Sequence, residues 1–232
     1  MQAMRIYPGR VLEMVLGQTG QPAAKIACSP TGAPAAGQYV IASPPVDQDG
    51  ALGAALFLWE AWGEGFLAAS PVPASWFPGI SLALRGPLGH GFRLPGGVKR
   101  LALAALGETS ERLMPVANQV LSAGGDVALF ADLPLTPIPA ALEFYPLAAL
   151  PEALLWADFL AVDLPLEAIA GLGEKLGISP GASLPCPGQA LALAPMPCGG
   201  AAACGACAVP VRRGWKLACE DGPVFDLADL LA

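Results

Sequence analysis

Four cysteines crowd into the last thirty-five residues of the chain, at Cys198, Cys204, Cys207 and Cys219, within the run CGGAAACGACAVPVRRGWKLAC. Nothing else in the sequence restricts the fold as strongly. The spacing C-x5-C-x2-C-x11-C asks one loop and a later strand to bring four thiols together. Every other residue between Cys198 and Cys207 is Gly or Ala, so the backbone, not the side chains, faces whatever the thiols hold. Three thiolates on a small-residue loop plus a fourth from a later strand is the pattern that wraps a 2Fe-2S cluster. The plant-type spacing C-x4-C-x2-C…C differs from this one by a single residue in the first gap.

Two other chemistries use the same donors. A four-cysteine zinc site on a non-redox scaffold normally has two short C-x2-4-C knuckles, and here only Cys204 and Cys207 form one. Disulfides need an oxidising compartment, whereas the opening MQAMRIYPGR has no apolar signal segment. The expectation is a cytoplasmic protein with reduced thiols.

Hydrophobic residues make up 54% of the 232 positions and charged residues 13%, which excludes a disordered chain. The 28 glycines and 25 prolines then call for frequent turns. The longest apolar run, residues 51–59, has nine residues against the about 20 that span a bilayer, so no membrane span is expected. With 12 basic and 19 acidic residues the net charge is −7, which counts against nucleic acid as a partner. Such a sparsely charged chain is expected to bury apolar surface against a partner subunit.

The period of the pattern changes along the chain. Residues 1–96 read as short strands punctuated by Gly and Pro, at Arg10–Leu16, Lys25–Ser29, Gln38–Ala42, Leu56–Trp62, Phe66–Ala69 and Ile80–Arg85, which predicts a small antiparallel β-barrel. Residues 97–178 read as a small α/β parallel-sheet domain. Its strands are expected at Arg100–Leu106, Asp126–Phe130, Leu142–Tyr145 and Phe159–Val162, and its helices at Ser110–Ala123, Pro151–Trp156 and Leu166–Leu176. Residues 179–232 form a Pro- and Gly-rich connector with one strand, Ala190–Leu193, followed by the cysteine-rich iron-sulfur domain. There Trp215–Cys219 is expected to be the strand that delivers the fourth ligand and Phe225–Leu231 a closing helix. The fold class is thus α+β in three parts.

Several stretches carry a family resemblance. The tail Gly214-Trp215-Lys216-Leu217-Ala218-Cys219-Glu220-Asp221-Gly222-Pro223-Val224-Phe225 and the opening Met196-Pro197-Cys198-Gly199 resemble the cluster region of the electron-transfer subunit of dihydroorotate dehydrogenase, of the ferredoxin reductase superfamily. Gly37-Gln38-Tyr39-Val40 and Gly86-Pro87-Leu88-Gly89-His90-Gly91-Phe92 are similar to that family's barrel motifs, and the domain order matches. The resemblance implies a barrel that binds FAD through an Arg-x-Tyr/Phe-Ser motif and an α/β domain that binds NAD(P)H through a glycine-rich loop. The stretch corresponding to the first, residues 52–60, has neither Arg nor Ser, and no Lys or Arg occurs between Lys25 and Arg85. A desolvated pyrophosphate needs a cation or several directed N–H donors, so the residues argue against the ordinary mode of holding FAD. The second is reduced to Leu106-Gly107-Glu108-Thr109-Ser110-Glu111, whose two carboxylates repel a phosphate and are expected to cap the helix instead, which counts against NAD(P).

The expected function is electron relay by a subunit with a 2Fe-2S cluster on Cys198, Cys204, Cys207 and Cys219, serving a flavin-containing oxidoreductase subunit. No catalytic residue is assigned. The resemblance implies a dihydroorotate dehydrogenase partner and hence pyrimidine biosynthesis. Two alternatives stand beside this reading: a complete FAD-containing reductase with atypical flavin contacts from Arg85 or Arg93, and the zinc scaffold. The single histidine, His90, reads as a turn residue, and with no Gly-x-Ser-x-Gly elbow a hydrolytic triad has no support. Cys28 and Cys186 read as packing residues, with Cys186 near enough in sequence to approach the cluster. Trp59 and Trp62 read as barrel core or interface, and Arg212, Arg213 and Lys216 as a hairpin tip or a steering patch for an acidic partner.

Overall fold

The computed structural model describes residues 5–44, 53–133, 140–179 and 181–231. Six strands close into an antiparallel barrel: β1 (Ile6–Leu16), β2 (Pro22–Cys28), β3 (Tyr39–Ser43), β4 (Ala54–Trp62), β5 (Gly65–Ala68) and β6 (Ser81–Leu88), in the order β1-β2-β5-β4-β3-β6. The described part of the stretch at 52–60 is β4; Leu52 lies outside the described residues. Closure leaves no strand edge unpaired. Alternation along β6, where Leu82 and Leu84 are buried between exposed Ser81 and Ala83, turns one set of side chains inward. Val11, Ile26, Val40, Leu56, Phe66 and Leu84 meet there as the barrel core.

The chain then builds β7 (Arg100–Ala105), α1 (Met114–Ser122), β8 (Asp126–Ala131), β9 (Glu143–Tyr145), α2 (Leu150–Ala153), β10 (Phe159–Pro165), α3 (Leu172–Lys175) and β11 (Gly188–Leu193). The tail adds a hairpin of β12 (Ala208–Val211) and β13 (Gly214–Leu217), then β14 (Val224–Asp226) and α4 (Leu227–Leu230). One six-stranded sheet runs β14-β11-β10-β7-β8-β9, parallel except for β14. Its central strands are covered on both faces, which is why β7 and β10 read as nearly unbroken apolar runs. Ala102 and Ala104 of β7 join Leu160, Val162 and Leu164 of β10 in one core, while Leu101 and Leu103 join Phe159, Ala161 and α1 in another.

The boundary expected at residue 179 runs through this sheet, because β11 and β14 lie beyond it in sequence. Other differences are local. The stretch 166–176 is a 3-10 turn, Leu166–Gly171, followed by the single helical turn of α3, as its two glycines lower helix propensity. The closing helix begins only at Leu227, because residues 224–226 pair with β11. Among the described residues no helix is long and apolar enough to cross a membrane.

Candidate metal centre

The cysteine loop leaves the C-terminal end of β11 and returns through the β12–β13 hairpin. Ala208 pairs with Leu217, and Ala218 N–H donates to Cys207 O at 2.9 Å. Zipping that ladder sets Cys207 beside Cys219, with their sulfurs 3.2 Å apart. Cys219 thus lies two residues past β13, in the turn that follows it and not in a strand. At the loop's other side the Cys198 and Cys204 side chains hydrogen-bond each other. The four thiols therefore stand as two pairs, and among the described residues no three Cys, His, Asp or Glu side chains gather round one point at metal-binding distance.

Backbone N–H groups converge on these sulfurs. Those of Ala203, Ala201 and Cys204 reach Cys198, that of Ala202 reaches Cys219, and that of Ala206 lies 3.5 Å from Cys204 Sγ. Ala202 is held at φ 55°, the left-handed region that a residue with a Cβ seldom occupies, and this bend lets its neighbours turn their N–H groups inward. The Ala203 bond, with help from Cys204 and Ala201, draws the Cys198 thiol down to about 6. Burial and then the neighbouring Cys207 push Cys219 up to about 12, against the pull of the Ala202 N–H. Four sulfurs, a cage of amides and a Gly/Ala loop that lets the chain pass close are a donor set that fits an iron-sulfur cluster. The outer rim is open, since Ala201, Ala203, Cys204, Gly205 and Ala206 are all exposed.

The inner side of the loop rests on the barrel wall. Tyr39 is fully buried and donates its hydroxyl to Cys219 O at 3.0 Å. A Cβ added at Gly200 would lie 2.6 Å from that hydroxyl, and one at Gly199 2.8 Å from Arg85 Nη2. Both glycines also have positive φ, Gly199 at +63° and Gly200 at +75°. Gly200→Ala is therefore expected to lower stability by about 1–2 kcal/mol through the left-handed backbone alone, with the clash adding to it, as thermal unfolding would measure. His90 fastens the same seam: its N–H donates to Gly222 O at 2.5 Å, and its Nδ1 lies 3.0 Å from Asp221 O.

The crevice where a parallel sheet usually takes a nucleotide lies elsewhere, at the C-terminal ends of β7 and β10 where the strand order reverses. It is filled by the chain itself. Arg112, 4% exposed, makes a two-pronged ion pair with the fully buried Asp163 at 2.8 and 3.3 Å and donates to Ser70 O of the barrel at 2.8 Å. Burial pushes the Asp163 carboxyl upward, Arg112 draws it back, and Glu111 pushes it up further. Glu111 does not cap a helix as expected. Its two oxygens accept the backbone N–H groups of Gln18 and Ser70, each at 2.6 Å, because those barrel donors are buried and otherwise unpaired. Beside them Phe57 and Trp59 of β4 pack into the cores of the α/β layers, and described β4 carries no Lys or Arg. These residues do not fit a dinucleotide. Arg85 lies under the cysteine loop instead, and Arg93 gives its backbone N–H to Gln189.

The remaining candidates have structural places. Cys186 sits at the N-terminal end of β11, about 20 Å of strand away from the end that feeds the loop. It is buried, Cys28 is half-buried, and burial raises both thiols. Arg212 and Arg213 are exposed at the hairpin tip next to Trp215, which is 71% exposed, and Lys216 pairs with Asp229 at 2.8 Å. Sequence reasoning missed Glu111, Arg112 and Asp163 as a buried network. The available signal was Asp163 itself, an acid inside the apolar run Phe159–Pro165.

A closed barrel, a parallel sheet and a cysteine loop laid across both define a protein of ferredoxin-reductase-like fold. Residues 195–231 match the family model described as the iron-sulfur cluster binding domain of dihydroorotate dehydrogenase B. Among solved structures, one from the NADH-dependent reduced ferredoxin-NADP oxidoreductase aligns with TM-score 0.72 at 17% identity, covering 99% of this chain and 91% of that one. The ferredoxin reductase of carbazole 1,9a-dioxygenase aligns with TM-score 0.55 at 18% identity, covering 76% and 66%. A type IV self-sufficient cytochrome P450 monooxygenase aligns with TM-score 0.58 at 13% identity, covering 82% and 28%. No curated protein sequence matches the chain.

Proposed function

We propose that this chain is an electron-relay subunit whose redox centre is a 2Fe-2S cluster held by Cys198, Cys204, Cys207 and Cys219. The observation that carries the reading is the pairing of the four thiols. A two-iron cluster takes two thiolates on each iron, whereas a single zinc needs all four around one point at about 2.3 Å. Cys198 with Cys204 and Cys207 with Cys219 supply two such pairs. When bound, the cluster supplies one-electron exchange. The chain's own residues hold it, line its sulfurs with N–H donors and leave its rim open to a partner.

Because the crevice is filled, electrons enter and leave through the exposed loop. The partner is a flavin-bearing oxidoreductase subunit in a hetero-oligomer, working in the cytoplasm where thiols stay reduced. The match of the tail favours a dihydroorotate dehydrogenase catalytic subunit, and with it pyrimidine synthesis. Metal analysis of anaerobically purified protein tests the first part: two irons and two acid-labile sulfides per chain are expected, and one zinc without iron overturns it. Co-purification from the native host tests the second, and isolation without any flavoprotein subunit overturns it.

A further inference from the structure

We infer that Arg85, on the barrel wall, sets the reduction potential of the cluster by acting as its half-buried counter-charge. The inference rests on the cluster reading above. Arg85 occupies a half-buried position on β6, where it pairs across the sheet with Ile41 of β3 and Ile6 of β1. Its guanidinium reaches the backbone directly after the first cysteine, with Nη2 2.8 Å from where a Gly199 Cβ would be. Ile41 Cγ2 approaches the same point at 3.7 Å, so the guanidinium is flanked by the apolar wall and roofed by the loop. Beside it the fully buried Tyr39 lies 2.6 Å from where a Gly200 Cβ would be and donates its hydroxyl to Cys219 O at 3.0 Å, so guanidinium and phenol together seat the loop at both its first and its last cysteine.

The other charges near the loop differ in kind. Arg212 and Arg213 are exposed at the hairpin tip, and Glu220 and Asp221 are exposed after Cys219. Water and salt screen such groups, while a pair enclosed between a wall and a loop interacts at a lower effective dielectric. Each reduction adds one electron, and so one negative charge, to the cluster. A fixed cation under the loop favours the reduced form, and the potential rises accordingly. The small Gly199 is required in this arrangement because any side chain there would push the guanidinium away.

The test is a redox titration of the purified holoprotein, followed by electron paramagnetic resonance with dithionite as the terminal reductant. Arg85→Gln is expected to lower the midpoint potential, and Arg85→Lys, which keeps the charge without the planar fork, to recover most of the loss. Arg213→Gln, an exposed cation of the same type, is expected to leave the potential unchanged. A potential in Arg85→Gln equal to or higher than that of the unsubstituted protein overturns the inference. If Arg85→Gln fails to retain iron, Arg85→Lys decides: retention of iron at a near-normal potential supports the charge role, and loss of iron in both variants overturns it in favour of a purely packing role. The iron and sulfide content of the unsubstituted protein, measured first, separates failure of this inference from failure of the cluster assignment.

Discussion

Replacing Cys204 with serine is expected to give a folded chain with no reducible visible absorption and less than the full complement of two irons. Cys204 is the exposed member of the set, with its side chain on the open rim of the loop, where its sulfur meets the Cys198 side chain and the Ala206 N–H at 3.5 Å. Exposed substitutions of this kind alter stability by about 0.5 kcal/mol or less, so the variant should unfold at nearly the temperature of the unsubstituted protein stripped of its cluster. The cluster, by contrast, depends on every thiolate, since serine oxygen is a harder and much weaker donor to iron. Absorption spectra before and after dithionite, iron analysis and a thermal melt separate the two effects. A variant that kept its spectrum and both irons would remove Cys204 from the ligand set. The buried Cys207 and Cys219 cannot give as clean an answer, because serine there disturbs the core as well.

Asp163→Ala should be the most damaging single change away from the cysteines. It strands the Arg112 guanidinium, 4% exposed, without its carboxylate in the seam between barrel and sheet. Breaking a buried pair from one side costs about 3–5 kcal/mol, which for a chain of this size means a fall of about 6–20 °C in melting temperature. Removing both charges together is a different case. The double variant Arg112→Met with Asp163→Leu leaves no orphaned charge and is expected to recover most of the loss, as apolar replacements of buried pairs commonly do. A loss in Asp163→Ala of no more than about 1 kcal/mol, the limit for a surface pair, would mean that water reaches the pair and that the crevice is open.

The barrel and the cysteine loop were readable from the sequence for opposite reasons. All six expected barrel strands are present, and Gly or Pro marks many of their limits, as at Gly37 before β3 and Gly65 at the start of β5, but β1 begins at Ile6 rather than Arg10 and β6 runs on to Leu88, because these strands continue through Pro8-Gly9 and Gly86-Pro87. The cysteines were legible because thiol spacing is a statement about chemistry rather than packing. The β12–β13 hairpin was only half visible: Trp215 to Cys219 suggested one strand, but Pro210 obscured its partner, since proline rarely marks a paired strand. Of the buried network only the lone acid Asp163 was legible, because Gln18, Ser70, Glu111 and Asp163 are brought together from four separate stretches, and no window of sequence contains the contact. Glu111 illustrates the point: beside a helix start it looks like a cap, and only the approach of the barrel gives it two better donors.

The route of the tail has a consequence for modularity. The chain leaves the main sheet at the end of β11, crosses to the barrel to form the cysteine loop, and comes back to the sheet as β14, which pairs with β11 itself. The stretch that recurs as a family unit, residues 195–231, therefore begins after one of these strands and ends after the other, and it owns neither the barrel wall at Tyr39 nor the β11 edge it leans on. It is a clasp rather than a bead on a string. Any lineage that lost or replaced the barrel or the sheet would lose the seat of the cluster with it. Conversely, a cysteine loop seated in this way needs both layers folded, because its wall belongs to one and its returning strand to the other.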